Sequence, residues 1–204
     1  MKYSLSDIVN GAIITTTLVA LNIVFFIFTA LPTEIGNLIY KAGVLDPVLV
    51  IGGEYNRLLS ACFLHSSPMH IFSNMILLLY CGAIVEKNIG HFAFAFSYLA
   101  CAVAGNSATI FYEYLHREFW MSIGASGAVF GVMGIMLIIL IKMRNSLKGA
   151  SLLRRAAFMV LYSLVMGFSS SMVNNVAHVA GLICGIAIAY AVTAGKRSFY
   201  IPEL

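Results

Sequence analysis

Charge is scarce in this 204-residue chain: Asp, Glu, Lys and Arg make up 10% of it, against 61% apolar residues and a mean hydropathy of +0.94. That scarcity excludes a soluble globular domain and leaves lipid as the solvent, since roughly 20 consecutive apolar residues cross the hydrocarbon core. Period-two alternation is missing too, so a closed barrel gives way to helices, which pair each backbone amide within their own segment. The four cysteines, Cys62, Cys81, Cys101 and Cys184, include no CxxC pair, and neither a zinc site nor a disulfide framework is indicated. No HExxH motif accompanies the histidines His65, His70 and His178, and no carboxylate lies near them, so the expectation is no metal and no cofactor. Polar residues and helix breaks at mid-membrane depth, which a transporter needs, are largely lacking. Repeats, low-complexity tracts and linkers are lacking as well, and residues 1–204 read as one domain with a catalytic core over about 55–193.

Six long apolar runs are present, at about Gly11–Leu31, Met69–Val85, Phe92–Tyr114, Ser122–Ile141, Leu153–Phe168 and Val173–Thr193. They predict an all-α, polytopic six-helix bundle. The first run is too long for the apolar part of a signal peptide and reads as a retained span. If the amino terminus is inside, Lys2, Lys87, Lys142, Arg144, Lys148, Arg154, Arg155, Lys196 and Arg197 are all inner, while only Lys41, Arg57 and Arg117 are outer. Nine cations against three is a positive-inside bias. The basic 142–155 connection therefore reads as a cytoplasmic topology signal that also meets anionic lipid headgroups, not as a nucleic-acid surface.

With that topology, three spans begin at the outer face, and each begins with polar residues. Ser126 falls about four residues into the fourth run and His178 about five into the sixth, which places both roughly 6–8 Å below the outer helix ends. His70 and Asn74 open the second run, on one face at i,i+4 spacing. His65, Ser66 and Ser67 precede that run, and Ser169, Ser170, Ser171, Asn174 and Asn175 cluster around the start of the sixth. Gly127, Gly131 and Gly134 make a small-residue stripe beside Ser126, and Gly181 and Gly185 make a second below His178. Such stripes let transmembrane backbones approach closely. If the two face each other, Ser126 and His178 come within hydrogen-bonding reach.

A serine hydroxyl becomes a useful nucleophile when a base takes its proton, and histidine is the usual base. The carbonyl oxygen then needs hydrogen-bond donors. His70, Asn74 and the Ser126 backbone amide suit that role, with the adjoining Gly127 as a further candidate. No Asp or Glu lies in the last three runs, so the pattern points to a Ser–His dyad, not a triad.

At these residues the chain resembles the rhomboid intramembrane serine proteases of the compact six-span prokaryotic type. The resemblance runs from about Tyr55 to Tyr190. It rests on His65-x4-His70-x3-Asn74, on Gly82-Ala-Ile-Val-Glu86-Lys87 with Gly90, on Gly124-Ala-Ser126-Gly127 with Gly131, and on Ala177-His178-x2-Gly181-x3-Gly185. It implies Ser126 as nucleophile, His178 as general base, and His70, Asn74 and the Ser126 amide as the oxyanion hole. It further implies a lateral loop over Pro32–Asn56 partly embedded in the membrane, and a gate and cap formed by the fifth span and the Gly167–Met172 connection. The expected partners are single-span transmembrane protein substrates, cut near the outer face, and membrane lipid. The expected place is a bacterial inner membrane with both termini cytoplasmic. Two departures stand out: Asn56-Arg57 replaces a common Trp-Arg in the loop, and Phe130 stands where a tyrosine often contacts the histidine. The alternative is a catalytically silent, derlin-type relative that binds membrane proteins.

Overall fold

The computed structural model describes residues 10–169, 173–196 and 198–200. Ser170, Ser171 and Met172 of the expected cap, and the inner cations Lys2 and Arg197, lie outside the described residues. Helix α1 (Ile13–Ala30) is followed by three short helices, α2 (Glu34–Gly43), α3 (Pro47–Ile51) and α4 (Arg57–Ser60). Then come α5 (Pro68–Ile89), α6 (His91–His116), α7 (Ser126–Lys142), α8 (Leu147–Phe168) and α9 (Asn175–Val192). The chain is an all-α polytopic membrane bundle. Among the described residues the sole extended pairing is one backbone bridge, between Leu45 and Ser122.

Five helices, α1, α5, α6, α8 and α9, are long and apolar enough to span a bilayer. The sixth, α7, has 17 residues, or about 25 Å of helix, less than the roughly 30 Å hydrocarbon core. It is apolar on every side and buried along nearly its whole length, as the central helix of a bundle must be. α5, α6, α8 and α9 pack around it, while α1 and α8 turn most of their surface outward.

The expected fourth span began at Ser122, whereas α7 begins at Ser126. The hydrogen bonds of the preceding residues explain the difference. Ser122 exchanges both backbone bonds with Leu45, at 3.0 Å each, and the Gly124 amide donates to Ala61 O at 3.0 Å. Gly124 also has φ +134°, which an L side chain rarely adopts. Ser126 is therefore the first residue of its helix. His178 is the fourth residue of α9, close to the expected depth.

The expected lateral loop holds α2 and α3 and leads into α4, with Ile35, Leu38, Val48 and Ile51 exposed. Arg57 ties it together. Its Nη1 donates to Lys41 O at 2.7 Å and Val44 O at 2.8 Å, and its Nε donates to Glu54 at 2.8 Å. A guanidinium on the last carbonyls of α2 caps that helix and opposes its dipole. The loop thus keeps its arginine anchor although Asn56 replaces tryptophan.

At the far end of the bundle Glu86 does the same for α1 in the opposite sense. Its carboxylate is buried and accepts from Ile14 N at 2.8 Å, Thr15 N at 2.7 Å and Thr15 Oγ1 at 2.6 Å, and it pairs with His91 Nδ1. A negative charge on the free amides at a helix start is favourable twice over, by hydrogen bonding and by the dipole. Glu86 accordingly fastens α1 to α5. Replacing it with alanine strands these buried donors, at roughly 1–3 kcal/mol for each one left unpaired. Glu86→Ala should lower Tm in detergent by about 6–12 °C or more; an unchanged melting curve would show that the cap carries no stability.

Candidate active site

Three helix starts meet at one end of the bundle. The central contact is between α7 and α9, where glycines replace side chains on both helices. A Cβ on Gly181 would overlap Gly127 O, and one on Gly185 would overlap Gly131 O. Gly134 faces Leu182 O in the same way, at 2.6 Å from the position of an added Cβ. The two expected stripes therefore do face each other, with backbone against backbone.

That approach brings Ser126 and His178 together. Ser126 Oγ lies 2.8 Å from His178 Nε2. The imidazole stacks on Phe130, with ring centroids 4.3 Å apart and planes 16° from parallel. Phe130 is one turn beyond Ser126 on the same helix, so α7 carries both the hydroxyl and the surface that orients its partner. His178 Nδ1 is buried with no hydrogen-bond partner among the described residues. Among the described residues no carboxylate orients this ring; packing against Phe130 does.

Because Ser126 opens α7 and the N-cap is Ala125, no side chain caps the helix start. The first main-chain bond of the helix is from Val129 N to Ala125 O. The amides of Ser126 and Gly127 have no partner within the helix, and they point outward at the positive end of its dipole. This is a ready anion site beside the hydroxyl.

His70 and Asn74 sit on the adjoining face of α5. A Cβ on Gly124 would come within 2.8 Å of both His70 Cε1 and Nε2, so the imidazole lies directly against the backbone that leads into Ser126. Its other nitrogen, Nδ1, is 3.1 Å from Ser66 Oγ. The buried Asn74 amide is 3.1 Å from His65 Nε2, and the His65 and His70 rings meet edge to face at 5.0 Å. Burial first, and then the neighbouring His70, push His65 down to about 3. His65 is therefore neutral at ordinary pH, with Nε2 free to accept from Asn74. One of the two Asn74 N–H bonds is used this way and the other is left for a ligand.

Ser66 and His65 were legible as polar residues at the right depth, but not as partners of His70 and Asn74. Both precede α5 in the chain, so no helical period could place them against residues 70 and 74. Asn174 holds the third helix start. It caps α9 through Ala177 N at 3.0 Å and donates to Thr109 of α6 at 3.0 Å. Among the described residues no cluster of His, Cys, Asp or Glu is arranged to hold a metal ion.

Residues 52–195 match the rhomboid domain family. The chain belongs to the rhomboid family of intramembrane serine proteases. It is 29% identical over 189 residues to the putative rhomboid protease YdcA of Bacillus subtilis, covering 92% of each chain. It is 32% identical over 178 residues to rhomboid-like protease 1 of Toxoplasma gondii, covering 81% of this chain and 58% of that one. Its match to the rhomboid protease GluP of Bacillus subtilis is 29% over 162 residues, 79% of this chain and 31% of that one. It thus spans nearly all of one of these rhomboids and roughly a third to three-fifths of the other two.

In this rhomboid the glycine contact sets the Ser126–His178 distance, and it has no room for even a methyl group. Gly181→Ala should insert normally yet lose about 100-fold in turnover, the usual cost of roughly 1 Å of misplacement. Cleavage of a transmembrane test substrate by the purified, correctly folded variant measures this, and wild-type turnover would sever the link between stripe and site.

Proposed function

We propose that Ser126 and His178 are the catalytic dyad of this protease and that it cleaves single-span membrane proteins near the outer face of the membrane. The observation that carries the reading is the 2.8 Å contact between Ser126 Oγ and His178 Nε2. Ser126 Oγ attacks the carbonyl carbon of the scissile bond while His178 Nε2 takes the hydroxyl proton. The negative oxygen that forms is held by the free amides of Ser126 and Gly127, the remaining Asn74 N–H and His70 Nε2. Ser66 supports this role of His70. If its hydroxyl donates to Nδ1, the ring proton sits on Nε2, facing the oxyanion. His178 then gives its proton to the departing amine, and the acyl-enzyme forms. A water molecule, deprotonated by the same nitrogen, releases the acid and restores the serine.

Phe130 does part of the work that a carboxylate does in a triad. Stacking keeps the imidazole in plane with Ser126 Oγ, but it does not stabilise the imidazolium by charge. The resemblance to the family adds the preference for small residues before the cut bond and for helix-destabilising residues nearby. Gly124, Gly127, Gly131, Gly181 and Gly185 keep that meeting point compact.

A serine-directed fluorophosphonate should label Ser126 in the purified protein and fail to label Ser126→Ala. Labelling of His178→Ala should be slower by orders of magnitude; labelling at the wild-type rate would remove histidine from the mechanism and favour the silent, binding-type reading. In the same series His70→Ala and Asn74→Ala should each lower kcat by up to about 100–1000-fold with little change in KM, because the oxyanion exists only in the transition state. Unchanged kcat in both folded variants would sink the oxyanion assignment.

The orientation follows from the cations. Lys87, Lys142, Arg144, Lys148, Arg154, Arg155 and Lys196 lie at the end opposite the dyad, so the positive-inside rule puts that end and both termini in the cytoplasm, here of a bacterial inner membrane. A cysteine at position 148, in a background lacking the four native cysteines, should react with an impermeant maleimide only after the cells are opened. Reaction in intact cells would invert the topology.

A further inference from the structure

The glycine stripes set how far α9 stands from α7, but the α9 glycines come after His178 and leave the first turn of that helix to other contacts. A junction of side chains holds it. Asn174 Oδ1 accepts from Ala177 N at 3.0 Å, while Asn174 Nδ2 donates to Thr109 Oγ1 of α6 at 3.0 Å and to Ser122 Oγ at 3.4 Å. Chemistry fixes which end of the amide faces which partner. A backbone N–H can only donate, so Oδ1 must face Ala177, and the two Nδ2 protons go to the two hydroxyls. The Thr109 hydroxyl gives its own proton to Gly105 O at 3.0 Å, which leaves its lone pairs for Asn174.

Each partner belongs to a different part of the molecule. Thr109 is buried on α6. Ser122 is pinned by its two backbone bonds with Leu45 and stands four residues before Ser126. Ala177 immediately precedes His178, and its carbonyl oxygen lies against two glycines. A Cβ on Gly105 of α6 would come within 2.9 Å of that oxygen, and one on Gly127 of α7 within 3.3 Å. The Asn174 carbonyl also accepts from His178 N at 3.3 Å. One side-chain amide therefore joins the segment that leads to the hydroxyl with the helix turn that carries the imidazole, and α6 is their common support.

We infer that Asn174 is a positioning residue of this protease. It locks the 122–126 segment and the first turn of α9 into one frame, so that Ser126 and His178 keep their relative rise and rotation while the glycines keep their distance. An N-cap alone asks only for a short acceptor, which serine, threonine or aspartate supplies as well. The junction asks for more: one acceptor and two donors on a short, planar group, and asparagine is the side chain that has them. Serine would keep the cap and fall short of Thr109; aspartate would keep the cap and bring no donor. The catalytic half of this role rests on the Ser126–His178 reading, whereas the junction itself does not.

Two measurements on the full chain test the two halves separately. Spin labels on Trp120→Cys and Val179→Cys, both exposed positions, in a background lacking the four native cysteines, read the distance from the 117–122 segment to α9. That distance should be narrowly distributed with Asn174 present and broadened by Asn174→Ser, and by Thr109→Val, which leaves the cap alone. An unchanged distribution in both variants would overturn the junction. In the second measurement Asn174→Ser should lower kcat on a transmembrane test substrate about tenfold with KM unchanged, less than the roughly 100-fold of a full 1 Å displacement. Fluorophosphonate labelling of Ser126 should slow by the same factor. Adding Thr109→Val to Asn174→Ser should cost little more, since both remove one interaction. A lower Tm with wild-type kcat in the folded fraction, or losses that simply multiply, would overturn the positioning role. Labelling that survives His178→Ala at the wild-type rate would strike the dyad and with it the catalytic half, and the distances would still decide the junction.

Discussion

The backbone contact between α7 and α9 is the constraint on which the rest depends. Gly181 and Gly185 put bare Cα atoms against Gly127 O and Gly131 O. In lipid there is no hydrophobic force pressing helices together, so close packing and weak Cα–H···O contacts have to supply the association. Any side chain at this line moves α9 outward. His178 rides on α9 one turn above Gly181, and Ser126 rides on α7 beside Gly127. The separation of the two helices is thus also the separation of hydroxyl and imidazole.

A second constraint is the length of α7. It is shorter than the roughly 30 Å hydrocarbon core, and its first amides have no main-chain partner. A helix extended upstream of Ser126 would spend those amides on main-chain bonds. The bridge of Ser122 to Leu45 and the bond of Gly124 to Ala61 O are what stop the helix early. Polar groups then collect at that depth because three helix starts do: Ser67 caps α5, Asn174 caps α9, and Ser126 begins α7.

The ends of the bundle are finished by charge. Arg57 closes the last carbonyls of α2 near the dyad, and Glu86 closes the first amides of α1 at the other end. Each is buried, and each is satisfied by several hydrogen bonds, which is how an ionised side chain is accommodated away from water.

The six apolar runs, the charge asymmetry, the glycine stripes and the positions of Ser126, His178, His70 and Asn74 were all legible in the sequence. They follow from local rules, since a lipid solvent demands apolar helices and a 3.6-residue period assigns residues to faces. Which stripe meets which, the stacking of Phe130 on His178, the late start of α7, the pairing of Asn74 with His65 and of His70 with Ser66, and the cap that Glu86 provides for α1 were decided only by the tertiary structure. Each of these depends on distances between segments that are far apart in the chain or on which amides a loop has already used. Periodicity along one helix carries no information about either.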